Sequence, residues 1–200
     1  MAEILLFHHA QGFTPGVQAF ADELRGAGHV VHAHDLYDGA TFATVDEGVA
    51  HARSLGFDVL QERGEQLAQE LPADLVYVGF SMGCMPAQKL AMTRPGARGA
   101  LLLHSAIPLE FFGGTWPAGV RAQIHVMEGD DWGDVPDAQE IAAAVDEVEL
   151  FLYPGNAHLF SDRSLAEHDE AAAALLRQRV LVFLAELDAG RADSSGTTRS

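Results

Sequence analysis

Six short apolar runs, at residues 4–7, 30–33, 75–80, 100–104, 124–127 and 148–153, alternate with longer stretches of helical periodicity. Runs of that length suit strands buried on both faces, and the stretches between them suit amphipathic helices. Residues 17–27 put Val17, Phe20, Ala21 and Leu24 on one helical face and stop at Gly26 and Gly28. Residues 59–71 repeat the pattern and halt at Pro72, and 86–93, 137–145 and 170–187 read as further helices. Strict alternation predicts one α/β domain over residues 1–188 with a mostly parallel sheet, because right-handed crossovers lay helices on both of its faces. Residues 189–200 lack apolar periodicity and read as a disordered tail. Residues 36–55 read as a loop with one or two short helices near the top of the sheet.

Within this frame the pentapeptide Gly79-Phe80-Ser81-Met82-Gly83 follows the third apolar run and precedes a helical stretch. A G-x-S-x-G segment between strand and helix is the pattern of a nucleophile elbow, where flanking glycines let the backbone turn sharply and expose the serine hydroxyl. With 20 Gly among 200 residues the pentapeptide alone would arise by chance in roughly one chain in ten, so its context must decide.

A serine hydroxyl is a weak nucleophile until a histidine takes its proton and an acid orients that histidine. The fifth run is followed by Glu128-Gly129-Asp130-Asp131-Trp132, and the sixth by a loop containing His158. Acid and histidine therefore arrive in order behind the serine, each at the carboxyl end of a later strand. Ser81, Asp130 and His158 form the expected catalytic set. Asp131 could occupy the same turn, and Asp130 is preferred. Oxyanion donors are expected from the Met82 amide and, in the loop after the first strand, from the Gln11 amide, because Gly12 permits a tight turn there. His9, Trp116, Trp132 and Phe160 are expected to line an apolar acyl pocket.

Other chemistries find less support. A formal charge of −17 with only 12 Lys plus Arg leaves no basic stripe for nucleic acid. Ten histidines include His8-His9 and His32-x-His34, but no H-E-x-x-H or cysteine-rich pattern completes a ligand set, so no metal or other cofactor is expected. The single cysteine, Cys84, lies one turn into the helix after the elbow and reads as a buried structural thiol, although a helix N-terminus can lower a thiol pKa. Neither a leader-like opening nor a membrane-length apolar run is read, so a cytoplasmic protein without membrane contact is expected, as a monomer or homodimer.

Taken together, the segments EILLFHHAQGFTPG, Asp35-Leu36-Tyr37, GFSMG, HVMEGDDW and YPGNAHLFSD resemble the dienelactone hydrolase family of α/β-hydrolases across about residues 3–187. The resemblance implies a six-stranded α/β-hydrolase core in the order 2-1-3-4-5-6. It carries the acid role onto Asp130 and the histidine role onto His158. The chain departs from the family where Ser81 stands in place of cysteine. It also lacks the family's glutamate after the first strand and the arginine after Asp-Leu-Tyr. Those two groups suit an anionic lactone, so their loss points instead to a serine hydrolase of small esters, lactones or thioesters. Two alternatives share the fold: a non-catalytic protein binding a small ligand, and an acyltransferase or perhydrolase using the same three residues.

Overall fold

The computed structural model describes residues 1–196, and the side chains of residues 1–190. Six strands, β1 (Glu3–Phe7), β2 (Val30–His34), β3 (Val76–Phe80), β4 (Gly99–Leu103), β5 (Arg121–Met127) and β6 (Val148–Tyr153), form one sheet in the order β2-β1-β3-β4-β5-β6. All five pairings are parallel, so every strand ends on the same rim. This is the predicted α/β-hydrolase core in the predicted order.

Side-chain alternation along each strand divides the core into two layers. Leu5, Phe7, Tyr77, Leu102 and Ile124 pack beneath α2 (Val45–Leu55), α3 (Phe57–Gln69), α4 (Cys84–Thr93) and α5 (Val135–Ala144). Ile4, Leu6, Val76, Val78, Leu101 and Met127 pack beneath α1 (Pro15–Gly26) and α6 (Glu170–Gly196). The start of α1 has a clear local cause. Thr14 accepts the Val17 N–H, and Pro15 takes the first helical position, where its missing N–H costs nothing.

The expected loop and short helix over residues 36–55 are present, whereas the closing helix runs further than expected. Residues 36–55 form a loop and a single 11-residue helix, α2, whose cap Thr44 accepts the Glu47 N–H. The loop is fastened to the one after β1, since Phe42 N–H donates to the Gln11 carbonyl and the Gln11 side-chain amide donates to the carbonyls of Phe42 and Ala43. The closing helix continues past residue 187 to Gly196, where a tail was expected; no proline stops it, and Ala189, Arg191 and Ala192 favour helix. Residues 197–200 of that expected tail lie outside the described residues. Among the described residues no helix is long and apolar enough to cross a membrane.

Candidate active site

β3 ends at Phe80, and the chain then tightens into a 3₁₀ turn over Ser81–Gly83 before entering α4. Ser81 itself has φ of 49°, a conformation that L residues other than Asn and Asp seldom adopt. Both elbow glycines are required by space. A Cβ at Gly79 would stand 2.3 Å from the Gly83 carbonyl oxygen, and one at Gly83 would stand 2.5 Å from the carbonyl oxygen of Phe7. These contacts remove chance as the explanation of the pentapeptide, because each glycine is where the backbone closes on itself.

The turns after β5 and β6 are bonded to each other. Glu128 N–H donates to the Tyr153 carbonyl, and Gly129 N–H to that of Gly155, both at 2.9 Å. Asp130 and His158 are thus delivered side by side. His158 Nδ1 lies 2.8 Å from Asp130 Oδ2, and His158 Nε2 lies 2.7 Å from Ser81 Oγ. Asp130 and His158 are buried, whereas Ser81 is partly open to solvent and Asp131 is exposed. The second oxygen of Asp130 accepts the Trp132 N–H at 2.9 Å, and Gly133 passes so close that a Cβ there would sit 2.6 Å from Asp130 Oδ2. The carboxylate is held between its own loop and the imidazole, which fixes the ring's orientation.

Of the other predicted residues, Met82 follows Ser81 in the turn, and its sulfur receives the Tyr37 hydroxyl at 3.0 Å. Trp132 is 43% exposed with its ring 6.5 Å from that of His158, so it stands at the mouth of the site. Three placements differ from expectation. Trp116 is buried in the core, its Nε1–H bonded to the Val120 carbonyl just before β5. The β4–β5 crossover begins at the rim that carries Ser81 and must return to the opposite end of the sheet, and Trp116 lies on the return. Phe160 is fully buried against Tyr153 and His104, with ring centroids 4.9 Å and 4.7 Å away, and forms floor rather than pocket wall. His9 is likewise fully buried, with Nε2 bound to Asp162 Oδ2 at 2.9 Å.

The oxyanion loop is also arranged differently. Gln11 N–H donates to His9 Nδ1 at 3.2 Å and is turned toward the protein. Ala10, one residue earlier, is 2% exposed, and its N–H has no partner among the described residues. Buried amides are rarely left orphaned, so this N–H is the loop's available donor.

Two further residues went unnoticed in the sequence. His104, at the end of β4 with φ of 73°, is buried with Nε2 2.6 Å from Ser161 Oγ and its ring 6.2 Å from that of His158. Burial and the neighbouring histidines hold its pKa well below the usual imidazole value, so it stays neutral beside His158. Its strand-end position was the available signal. Asp162, four residues beyond His158, had none, since its partner His9 is 153 residues distant.

Cys84 is fully buried and directs Sγ–H to the Gly79 carbonyl at 3.2 Å. Burial pushes its pKa up, overriding any lowering by the start of α4. Among the described residues no group of three His, Cys, Asp or Glu side chains is placed to hold a metal ion.

The family model for the dienelactone hydrolase family matches residues 2–187, nearly the full described chain. The chain belongs to that family. No curated protein matches it. Solved structures share the fold at low identity. A Klebsiella pneumoniae protein provisionally assigned as a dienelactone hydrolase superposes with a TM-score of 0.74 at 14% identity, covering 92% of this chain and 87% of its own. The dienelactone hydrolase-like promiscuous phosphotriesterase P91, from metagenomic libraries, gives 0.69 at 15% identity, covering 94% and 87%. Esterase PE8 gives 0.61 at 16% identity, covering 93% and 92%. Membership makes the chain a hydrolase of the α/β-hydrolase class, within a family whose name-giving members, unlike this chain, carry cysteine at the elbow.

Proposed function

We propose that this protein is a serine hydrolase of small carboxylic esters, lactones or thioesters. The observation that carries the reading is the continuous line Ser81 Oγ, His158 Nε2, His158 Nδ1, Asp130 Oδ2, with contacts of 2.7 Å and 2.8 Å. Ser81 Oγ attacks the acyl carbon while its proton passes to His158 Nε2. The carbonyl π electrons move onto oxygen, and the resulting oxyanion is received by the amides of Met82 and Ala10. Collapse expels the alcohol or thiol, which takes the proton from His158 and leaves an acyl-serine. A water then attacks the acyl carbon, giving its proton to His158; the second tetrahedral species releases the acid, and Ser81 recovers that proton. Asp130 stabilises the imidazolium that forms twice per turnover.

The substrate is expected to lack a carboxylate next to the scissile bond. The loop after β5 itself carries Asp130, Asp131 and Asp134, and the resemblance's anion-binding arginine is missing. The test is to treat the protein with a fluorophosphonate, locate the adduct by mass spectrometry, and assay a panel of acyl esters, lactones and thioesters. The expected result is a single adduct on Ser81, with turnover that falls by about four powers of ten or more in Ser81→Ala. Full activity in Ser81→Ala, or an unlabelled Ser81 in folded protein, overturns the reading.

A further inference from the structure

Outside the three reacting side chains lies a second buried histidine–carboxylate pair, and it spans the two loops that the reaction must hold in register. Asp162 belongs to the loop of His158, and His9 to the loop after β1; their side chains are 1% and 0% exposed. Asp162 is fully engaged. Oδ2 accepts from His9 Nε2 and from the Thr14 hydroxyl, while Oδ1 accepts the Ser164 N–H at 2.8 Å and the Ser164 hydroxyl at 2.6 Å. Gly16 passes so close that a Cβ there would overlap the carboxylate. Burial alone would raise the Asp162 pKa, but the donors from His9, Ser164 and Thr14 outweigh it and bring it down to about 2.

An ionised carboxylate can only accept, so the His9 proton resides on Nε2 and leaves Nδ1 as an acceptor. Nδ1 takes the Gln11 N–H. His8 has the opposite tautomer: its Nε2 accepts the Leu36 N–H at 2.9 Å, so the proton is on Nδ1, which donates to the His9 carbonyl at 2.7 Å. That carbonyl also accepts the Gly12 N–H at 3.0 Å. In a trans peptide the N–H points opposite to the C=O, so fixing the His9 carbonyl from two sides aims the Ala10 N–H the other way. The next carbonyl, that of Ala10, rests on α2, where a Cβ at Gly48 would stand 2.1 Å from its oxygen.

We infer that Asp162 and His9 are positioning residues for oxyanion stabilisation: Asp162 sets the His9 tautomer, His9 Nδ1 sets the Gln11 peptide, and together they direct the Ala10 N–H. The inference rests on the hydrolase reading above and concerns the same site. An oxyanion exists only in the transition state and the tetrahedral intermediates, so misdirecting its donor lowers kcat and leaves KM nearly unchanged.

Asp162→Asn is the discriminating variant. The Ser164 N–H requires the amide oxygen on its side, so the amide NH₂ faces His9 Nε2 and drives the ring proton to Nδ1, against the Gln11 N–H. The expected result is a folded protein with kcat down about 10–100-fold, KM within about threefold, and His9 ring ¹⁵N shifts that exchange the two nitrogens' roles. His9→Asn provides a rescue, because its amide oxygen lies where Nδ1 stood; it should keep at least about tenfold more kcat than His9→Leu. Wild-type kcat in Asp162→Asn overturns the inference. If that variant does not fold, the His9 pair decides, and equal kcat in the two overturns it. Fluorophosphonate labelling of Ser81 separates the two levels. A wild-type protein that neither labels nor turns over removes the hydrolase reading and this role with it, whereas variants as active as an active wild type remove only the positioning role.

Discussion

Asp130 Oδ2 stands 2.8 Å from His158 Nδ1, while Asp131, the next residue along, is exposed. Adjacent residues on one turn leave in different directions, so only one carboxylate reaches the ring. Asp130→Asn should lower kcat by about three to four powers of ten, through loss of the charge and of the ring's tautomer. Asp131→Asn should stay within about twofold. Steady-state kinetics on one ester decide the matter, and comparable losses in the two variants would contradict the assignment.

The two tryptophans should separate binding from stability. Trp132, at the mouth beside His158, is expected to affect substrate capture, so Trp132→Ala should raise KM more than it lowers kcat. Trp116 is buried with its indole N–H bonded to Val120, so Trp116→Ala should cost about 3–5 kcal/mol of stability and leave the KM of the remaining folded protein unchanged. Urea titrations paired with kinetics test both, and a Trp116→Ala protein of normal stability with raised KM would reverse the placement.

Cys84 should be chemically silent. Its thiol is enclosed and its pKa pushed up, so iodoacetamide at neutral pH should label it only after unfolding. Cys84→Ala should retain kcat within a few-fold. Rapid alkylation of the native protein, or loss of activity comparable to Ser81→Ala, would reassign the nucleophile.

Stability should fall on mild acidification. His125, fully buried and bonded to the Tyr153 hydroxyl at 2.8 Å, has its pKa lowered to about 3 by burial, helped by the charge of Arg179. An unfolded histidine titrates near 6.5. Between these values the unfolded chain binds one proton more than the folded chain at this position. The contribution of neutral, buried His125 is therefore complete above about pH 6.5 and is lost as pH falls toward 3, by up to ~1.4 kcal/mol per pH unit. His9 and His104, also shifted downward by burial, act in the same direction. Urea midpoints from pH 7 to pH 5 should decline, and less steeply in His125→Gln; a flat profile would count against the buried neutral histidines.

Much of this was legible because strand and helix periods are local. Apolar runs such as 75–80 and 148–153 located β3 and β6, and the order of Ser81, Asp130 and His158 follows from parallel strands ending on one rim. Direction and distance were not legible. A loop that leaves the rim and returns to the far side, as the one bearing Trp116 does, looks the same in sequence as one folding over the site. Phe160 reads as a loop aromatic but is core, because it packs against His104 and Tyr153 in the layer under α1 and α6. The His9–Asp162 contact joins residues 153 positions apart with no shared period, and only the folded chain brings them together. The orientation of the Gln11 amide depends on that contact and was hidden with it.

At the elbow, the sharp turn belongs to Gly79 and Gly83, which close on backbone atoms, while the side chain of residue 81 reaches His158 instead. Sulfur and oxygen are therefore interchangeable at this position as far as architecture is concerned. On the hydrolase reading proposed above, a lineage can trade one nucleophile for the other in a single codon change without rebuilding the scaffold, and the change is then judged on reactivity alone.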